Sequence, residues 1–397
     1  MPTILCLTSY EKGQDYLREC AAAGARTLLL TVETLRDADW PRDVLADVYL
    51  LPSFDDVEHV TSAVSYLARS ESIDRIVALD EFDMELAAQL REHLRVDGPG
   101  VTQTRATRDK LVMRELAQRA GLAVPAFIGI VNHQAIAEYL ERTEAPWVLK
   151  PRTQASAIGI RKLEHAPELW PILEELGDRQ SHHLLECYIP GDVYHVDGIA
   201  SAGALLFAEV HLYAQPPFDT MHGGGIFCSR TVERGSHEQT TLRDLTLRLV
   251  RAVGLRDGVA HVEFIRDRES GDFYFLEIAA RVGGAHIADM VEAATGVNLW
   301  REWARLELAL AEATPYTAPQ PRRHHAGVLI CLAKQEWPDM MTFTDPEVVW
   351  RLRKRHHAGL IVASEEATRV RRLLDDYMPR FHADYYTSLP APERATN

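Results

Sequence analysis

The chain has 397 residues, of which 46% are hydrophobic and 25% charged, and its formal net charge is −15. This length accommodates two or three domains, and the composition is that of an ordinary soluble protein. The acidic balance argues against nucleic acid or an anionic membrane surface as the main partner. The sequence has no apolar run as long as a membrane span, and its first 30 residues lack the layout of a signal peptide.

The five cysteines are odd in number, scattered, and without a C-x-x-C pair. This usage predicts reduced thiols in a cytoplasmic protein. Lysine is rare: the chain has only six lysines, and arginine supplies most of its positive charge. Each lysine that follows a strand or opens a helix is therefore a candidate for a specific role.

The N-terminal third alternates short apolar runs with helical patterns, which predicts an open parallel sheet. The predicted strands are Thr3 to Leu7, Thr27 to Val32, Val48 to Leu51 and Arg75 to Leu79. No G-x-G-x-x-G follows the first strand, so a dinucleotide fingerprint is absent. Glu81 follows the fourth predicted strand, at the edge where open α/β sheets bind ligands, and could line a substrate site. The preferred alternative is an acid that favours a helix N-terminus.

Two predicted strands between Gly258 and His286 each carry one acid in an apolar setting, Glu263 and Glu277. A carboxylate in such a strand is costly unless it is paired, hydrogen-bonded or bound to a metal ion. Two acids on neighbouring strands can face one divalent cation, whereas the alternative is two acids that are solvated or salt-bridged to arginines. Arg281 and the pair Gly283-Gly284 follow the second strand.

Two of the six lysines lie where predicted elements begin or end. Lys110 lies in a predicted helix from Thr104 to Ala120, and Lys150 ends a predicted strand that begins at Trp147. A loop of small residues that includes Ser156 follows Lys150, and small side chains let backbone N–H groups approach an anion. The sequence contains no Walker A motif. Without further context, both lysines would be interpreted as solvated.

Taken together, these segments resemble the ATP-grasp family. The resemblance implies an α/β and α+β fold, in which a Rossmann-like domain precedes a two-part ATP-grasp fold with a small C-terminal lid. The expected boundaries are a Rossmann-like domain at 1–98, ATP-grasp halves at 99–185 and 186–314, a lid at 315–389 and a disordered tail at 390–397.

The resemblance also implies a nucleotide site. Lys110 and Lys150 would contact phosphates, Glu263 and Glu277 would hold Mg²⁺, with Mn²⁺ as the alternative cation, and Arg281 would be catalytic. Ala279 stands where the family usually has asparagine, which puts a second metal position in question. The remaining residues expected to bind ATP are those of the phosphate-covering loop and of the hinge between the two halves: Ser156, Glu186, Cys187, Tyr188, Ile189 and Asp192.

The acceptor side is expected near a glycine cluster, His222 to Gly225, and near the turn after Arg281. A helix N-terminus at this turn would direct positive partial charge at a carboxylate or phosphate. The residues assigned to substrate are Glu81, Ser229, Arg230, Gly284 and His286. His195 alternates along a strand and is interpreted as a satisfied strand histidine rather than a ligand contact.

The resemblance implies an ADP-forming ligase that activates a small carboxylate, an amino acid by preference, as an acyl phosphate. An amine would then form an amide or dipeptide. A second enzymatic hypothesis is a carboxylase-like protein that activates bicarbonate, and a third is a non-catalytic nucleotide-binding protein. The expected partners are small molecules, with no nucleic acid and no membrane, and a homodimer is compatible with the chain.

Overall fold

The computed structural model describes residues 1–155, 158–218 and 225–388. Within these ranges the chain forms three sheets. Ser156, most of the glycine cluster (222–224) and the expected disordered tail lie outside the described residues. None of the described helices is long and apolar enough to cross a membrane. All five cysteines are free, as their spacing predicts.

The first sheet is parallel throughout and has the strand order β3-β2-β1-β4. Its elements are β1 (Thr3–Thr8), α1 (Gln14–Ala22), β2 (Arg26–Val32), β3 (Asp47–Leu51), α2 (Val57–Leu67), β4 (Arg75–Ala78) and α3 (Met84–Leu94). The apolar side chains of β1 and β2 are buried on both faces, as the continuous apolar runs of the sequence predict. The alternating α/β pattern is thus confirmed.

The second sheet is antiparallel, with the order β5-β8-β6-β7. Its strands and the helices around it are α4 (Val101–Arg105), α5 (Lys110–Arg119), β5 (Phe127–Gly129), α6 (His133–Arg142), β6 (Trp147–Pro151), β7 (Arg161–Leu163), α7 (Leu169–Leu176) and β8 (His183–Cys187). The predicted helix from Thr104 to Ala120 is two helices, because Asp109 accepts hydrogen bonds from the amides of Leu111 and Val112 and so caps a new helix at Lys110.

The third sheet has eight strands in the order β13-β12-β9-β10-β11-β14-β16-β15. Its strands are β9 (Gly191–Ser201), β10 (Ala204–Tyr213), β11 (Phe227–Thr231), β12 (Gly258–Asp267), β13 (Phe273–Ala279), β14 (His325–Leu332), β15 (Val348–Arg351) and β16 (His357–Ser364). Four helices accompany it: α8 (His237–Ala252), α9 (Ile287–Thr295), α10 (Leu299–Ala311) and α11 (Ala367–Arg380).

The C-terminal strands continue this third sheet. Strand β14 pairs with β11, so the segment expected to form a lid shares one sheet with the strands that carry Glu263 and Glu277. The sequence predicted β14 and β16 but not the short strand β15 between them. The domain boundaries given above stay predictions.

Register places two rows of side chains on one face of the third sheet. One row runs across five strands and contains Glu277, Glu263, His195, His211 and Thr231. The adjacent row contains Ala279, His261, Asp197 and Glu209. The opposite face of the same strands packs against α8 through residues such as Val196, Val262 and Leu249. The α8 face of these strands is therefore apolar, whereas the other face carries the two polar rows and, further along the strands, the buried apolar residues Ile199, Phe207 and Val259.

Candidate functional site

Ion pairs join all three sheets at one place. Lys110, the first residue of α5, lies 2.9 Å from a carboxylate oxygen of Glu277 on β13. Its ammonium also donates to the carbonyl of Gln154, at the start of the small-residue loop, at 2.6 Å. Burial opposes ionisation of Glu277, but Lys110 outweighs it and lowers the pKa of this carboxyl. A helix N-terminus, a lysine and a strand acid therefore meet beside the loop predicted to cover phosphates.

Glu81 connects the first sheet to this place. It is 7% exposed and accepts a hydrogen bond from Arg281 Nε at 2.7 Å. Arg108 pairs with its other oxygen and also donates to the carbonyl of Thr153 at 2.7 Å. Burial disfavours the charged carboxylate, but Arg281 and Arg108 outweigh burial and lower the pKa of Glu81 to about 2. Glu81 thus positions Arg281 as well as lying near the predicted substrate side.

Glu186 is held in a second buried group of ion pairs. Arg114 contacts it through Nε at 3.0 Å and Nη2 at 2.9 Å, and Lys150 pairs with its other oxygen. Arg114 is fully buried and also donates to the carbonyl of Leu276 on β13. Burial lowers the pKa of Lys150 to about 8 although Glu186 opposes that shift. Glu186 therefore anchors Lys150, a contact that the sequence did not indicate.

We name these eight residues the ion-pair cluster. Its members are Glu81, Arg108, Lys110, Arg114, Lys150, Glu186, Glu277 and Arg281. Six of them were singled out in the sequence, whereas Arg108 and Arg114 were missed. Arg114 follows Lys110 by four residues, so the helical period places both on one side of α5, and this spacing was the available signal.

The backbone N–H groups of the hinge residues differ in whether they already donate to a carbonyl. The N–H of Cys187 donates to Ala126 and that of Tyr188 to Pro146, both at 2.9 Å. Within the described part of the chain, the Ile189 N–H has no such backbone partner. Asp192 lies apart from the ion-pair cluster: its carboxylate is exposed and pairs only at 3.8 Å with Arg268.

Glu263 lies opposite Glu277 in register, one strand further into the sheet. Tyr213 OH donates to its Oε1 at 3.0 Å, and His261 Nε2 lies 3.5 Å from the same oxygen. Two facing carboxylates supply the hard oxygen ligands that Mg²⁺ prefers. Lys110, which pairs with Glu277 in this structure, and Lys150 add positive charge of the kind that binds phosphates. These donor types fit a divalent cation with a nucleotide.

A second polar group, the histidine–aspartate cluster, consists of His195, Asp197, His211 and His261. The carboxylate of Asp197 lies 2.6 Å from His195 Nδ1, 2.9 Å from His261 Nδ1 and 3.3 Å from His211 Nδ1. Burial opposes the charge on Asp197, but His261 and His195 outweigh it and hold its pKa well below the usual value. The sequence marked only His195, as a satisfied strand histidine.

The imidazoles of this cluster differ in electrostatic state. Burial lowers the pKa of His195 to about 3, and its Nε2 lies 2.7 Å from Ser229 Oγ. Burial acts in the same direction on His261, but Asp197 outweighs it and raises the pKa to about 10. Within the described residues, neither nitrogen of His211 has a hydrogen-bond partner.

The residues assigned to substrate fall at separate places. Ser229 is buried against His195, while Arg230, its neighbour on β11, points to the opposite face of the sheet and lines a cavity beside α11. The two side chains therefore lie on opposite faces of the sheet, and their assignment to substrate stays a prediction. His286 directly precedes α9 without a side-chain capping hydrogen bond, its Nδ1 lies 2.8 Å from Asp289 Oδ2, and its ring packs on the Trp350 ring. Gly284 borders open space.

Gly283 connects the turn after Arg281 to the histidine–aspartate cluster. A Cβ at this residue would lie 2.8 Å from Asp197 Oδ1 and 3.1 Å from His261 Nδ1. Only glycine permits this approach, so the turn that carries Arg281 rests directly on the buried imidazoles. The cluster is thereby adjacent to the ion-pair cluster on the same face of the sheet.

Comparisons with known proteins agree with this arrangement. Residues 143–289 match the family model described as ATP-grasp domain. The L-arginine-specific L-amino acid ligase of Bacillus subtilis is 25% identical over 259 residues, which are 64% of this chain and 62% of that protein. The D-alanine–D-alanine ligase of Neisseria gonorrhoeae is 25% identical over 51% of this chain and 67% of that protein. The chain thus spans about two thirds of these curated relatives.

Solved structures resemble the whole chain. The L-amino acid ligase from Bacillus licheniformis has a TM-score of 0.75 at 17% identity and covers 98% of this chain and 99% of that one. Biotin carboxylase from Campylobacter jejuni has a TM-score of 0.70 at 16% identity, with coverages of 94% and 90%. At these identities the likeness concerns the fold.

Proposed function

We propose that this chain, whose residues 143–289 match the ATP-grasp domain model, is an ADP-forming carboxylate–amine ligase. The carboxylate would be that of an amino acid, and the product an amide or dipeptide. The observation that carries the proposal is the ion-pair cluster beside Glu263, because two lysines, Glu277 and Arg281 come from distant segments and meet there.

The first chemical requirement is to hold a nucleotide and neutralise its charge. Lys110 and Lys150 would contact its phosphates, and Ile189 would offer its N–H to the adenine edge. Glu263 and Glu277 would hold the divalent cation, which would neutralise charge that develops on the transferred phosphoryl group. Lys110 pairs with Glu277 in this structure, so we expect a nucleotide and its cation to separate that pair.

The second requirement is to position a carboxylate for attack on the terminal phosphate. Arg281 is fixed by Glu81 and would stabilise the negative charge of the resulting acyl phosphate. An amine then attacks the acyl carbon, phosphate leaves, and the amine loses a proton. The protein contributes position and electrostatic stabilisation, and no covalent enzyme intermediate is required.

The test is ADP release by the purified protein with Mg-ATP and pooled amino acids, with and without bicarbonate. The expected result is ADP that depends on amino acids, together with a product whose mass equals two substrates less one water. Turnover that depends on bicarbonate instead would replace the proposal with a carboxylase-type reaction. Nucleotide binding without ADP release in any mixture would favour a non-catalytic nucleotide-binding protein.

A further inference from the structure

The place beside Glu263 holds a nitrogen donor as well as carboxylates. His261 and Glu263 are two residues apart on β12, so both side chains point to the same face of the sheet. The ring nitrogen His261 Nε2 lies 3.5 Å from Glu263 Oε1. Adjacent ligands of one cation lie about 3 Å apart when metal–ligand distances are about 2.1 Å in octahedral geometry. The two atoms therefore lie at nearly the spacing of adjacent ligands.

The other ring nitrogen is already bound by a carboxylate. His261 Nδ1 lies 2.9 Å from Asp197 Oδ1, and Asp197 is fully buried. A histidine that binds a metal through one nitrogen commonly donates its second N–H to a carboxylate, which fixes the ring and its tautomer. His261 has this carboxylate on the side away from Glu263, so its Nε2 is directed toward the metal-type acids.

The polar contacts of Nε2 are long. Its two polar neighbours, Glu263 Oε1 and Tyr213 OH, are both at 3.5 Å, which is longer than a normal hydrogen bond. The residue opposite His261 in register is Ala279, which has no polar side-chain atom. In contrast, His195 contacts Asp197 and Ser229 through its two nitrogens at 2.6 and 2.7 Å. Of these two imidazoles, only His261 has a nitrogen without a close partner.

From this geometry we propose that His261 is a ligand of the divalent cation held by Glu263, with Asp197 as its positioning residue. The proposal rests on the proposed nucleotide site, since that site supplies the cation. An imidazole ligand is better suited to Mn²⁺ than to Mg²⁺, which strongly prefers oxygen. The site should therefore bind Mn²⁺ in preference to Mg²⁺. Binding through Nε2 requires that nitrogen to be unprotonated, so metal uptake releases any proton held there.

The experiment is electron spin echo envelope modulation of Mn²⁺ bound to the full chain with ADP. A directly bound imidazole gives ¹⁴N modulation, and growth on ¹⁵N-histidine should replace it with the ¹⁵N pattern. We expect this modulation in the natural protein. We expect its loss in His261→Gln and its retention in His195→Gln, the matched control in the same cluster. Direct titration should show that His261→Gln and Asp197→Asn each weaken Mn²⁺ binding about tenfold or more.

The outcomes separate the two proposals. If Mn²⁺-ADP binds and the natural protein gives no histidine ¹⁴N modulation, His261 is not a ligand, and no variant is needed to reach that result. Modulation that persists in a folded His261→Gln protein would also overturn the assignment. If Mn²⁺-ADP does not bind at all, the nucleotide function itself fails.

Discussion

Two buried polar clusters lie side by side on one face of the third sheet, and they consist of different kinds of side chain. The ion-pair cluster uses long side chains from α5, β6, β8 and β13 and from the segments that follow β4, α4 and β13. The histidine–aspartate cluster uses short rings from three adjacent strands. Long side chains can exchange one anionic partner for another, whereas rings on paired strands are held by register. The first cluster is thus suited to ligands that come and go, and the second to a fixed support.

The largest effect on activity should come from changing Glu277, the acid of the ion-pair cluster that is expected to hold the cation. Glu277→Gln removes a charge that would hold the cation, and we expect ADP formation with amino acids to fall about 10²–10³-fold, the size of losing one electrostatic contact to a transition state. Steady-state ADP release measures it. The matched control is Glu115→Gln, which removes an exposed charge on α5 paired only with Arg119 at 3.1 Å. Equal activity of both variants would remove Glu277 from the site.

A change in the histidine–aspartate cluster should lower the free energy of unfolding. Asp197→Asn removes the counter-charge of the buried His261 ring, whose pKa Asp197 raises to about 10, and breaking a buried charge pair from one side costs about 3–5 kcal/mol. Urea unfolding of the nucleotide-free protein measures the change. Asp192→Asn is the control, because it lies on the same strand, is exposed, and should alter the free energy of unfolding by at most about 0.5 kcal/mol. A small effect of Asp197→Asn would show that the histidine–aspartate cluster is not a rigid support.

Acid should weaken the ion-pair cluster through Glu81. Its folded-state pKa of about 2 lies below the ordinary glutamate pKa of 4.5, so its contribution is complete above about pH 4.5 and is lost as pH falls toward 2. The difference corresponds to about 3 kcal/mol. Unfolding free energies at pH 7, 4.5 and 3 should therefore decline more steeply in the natural protein than in Glu81→Gln. Parallel declines would mean that Arg281 and Arg108 do not stabilise the carboxylate.

The two clusters also differ in how far the sequence predicted them. The ion-pair cluster rests on residues that sit at recognisable places, such as a lysine at a strand end or acids on two neighbouring strands. The ion pair between Glu186 and Lys150 was not predictable, because these two residues meet only when β6 and β8 pair. Nothing local in the sequence links His195 to His211 or His261, since their proximity follows from the strand order β12-β9-β10. The sequence also did not indicate on which face of the sheet Arg230 lies, because that depends on which residues of β11 point to each face.

The smallest effect is expected from a change in the contact between the turn at Gly283 and the histidine–aspartate cluster. Gly283→Ala places a methyl group 2.8 Å from Asp197 Oδ1 and 3.0 Å from an Ile287 methyl, so the turn must shift outward. Overpacking of this kind costs about 1–3 kcal/mol in the free energy of unfolding. Gly284→Ala, one residue later, meets no atom within 4 Å and should change stability little. Because Arg281 lies on the same turn, the Gly283 variant should also bind its carboxylate substrate less tightly, which KM for that substrate would report. Equal stability of the two alanine variants would show that the turn does not rest on the buried imidazoles, and that the two clusters are neighbours without mechanical contact.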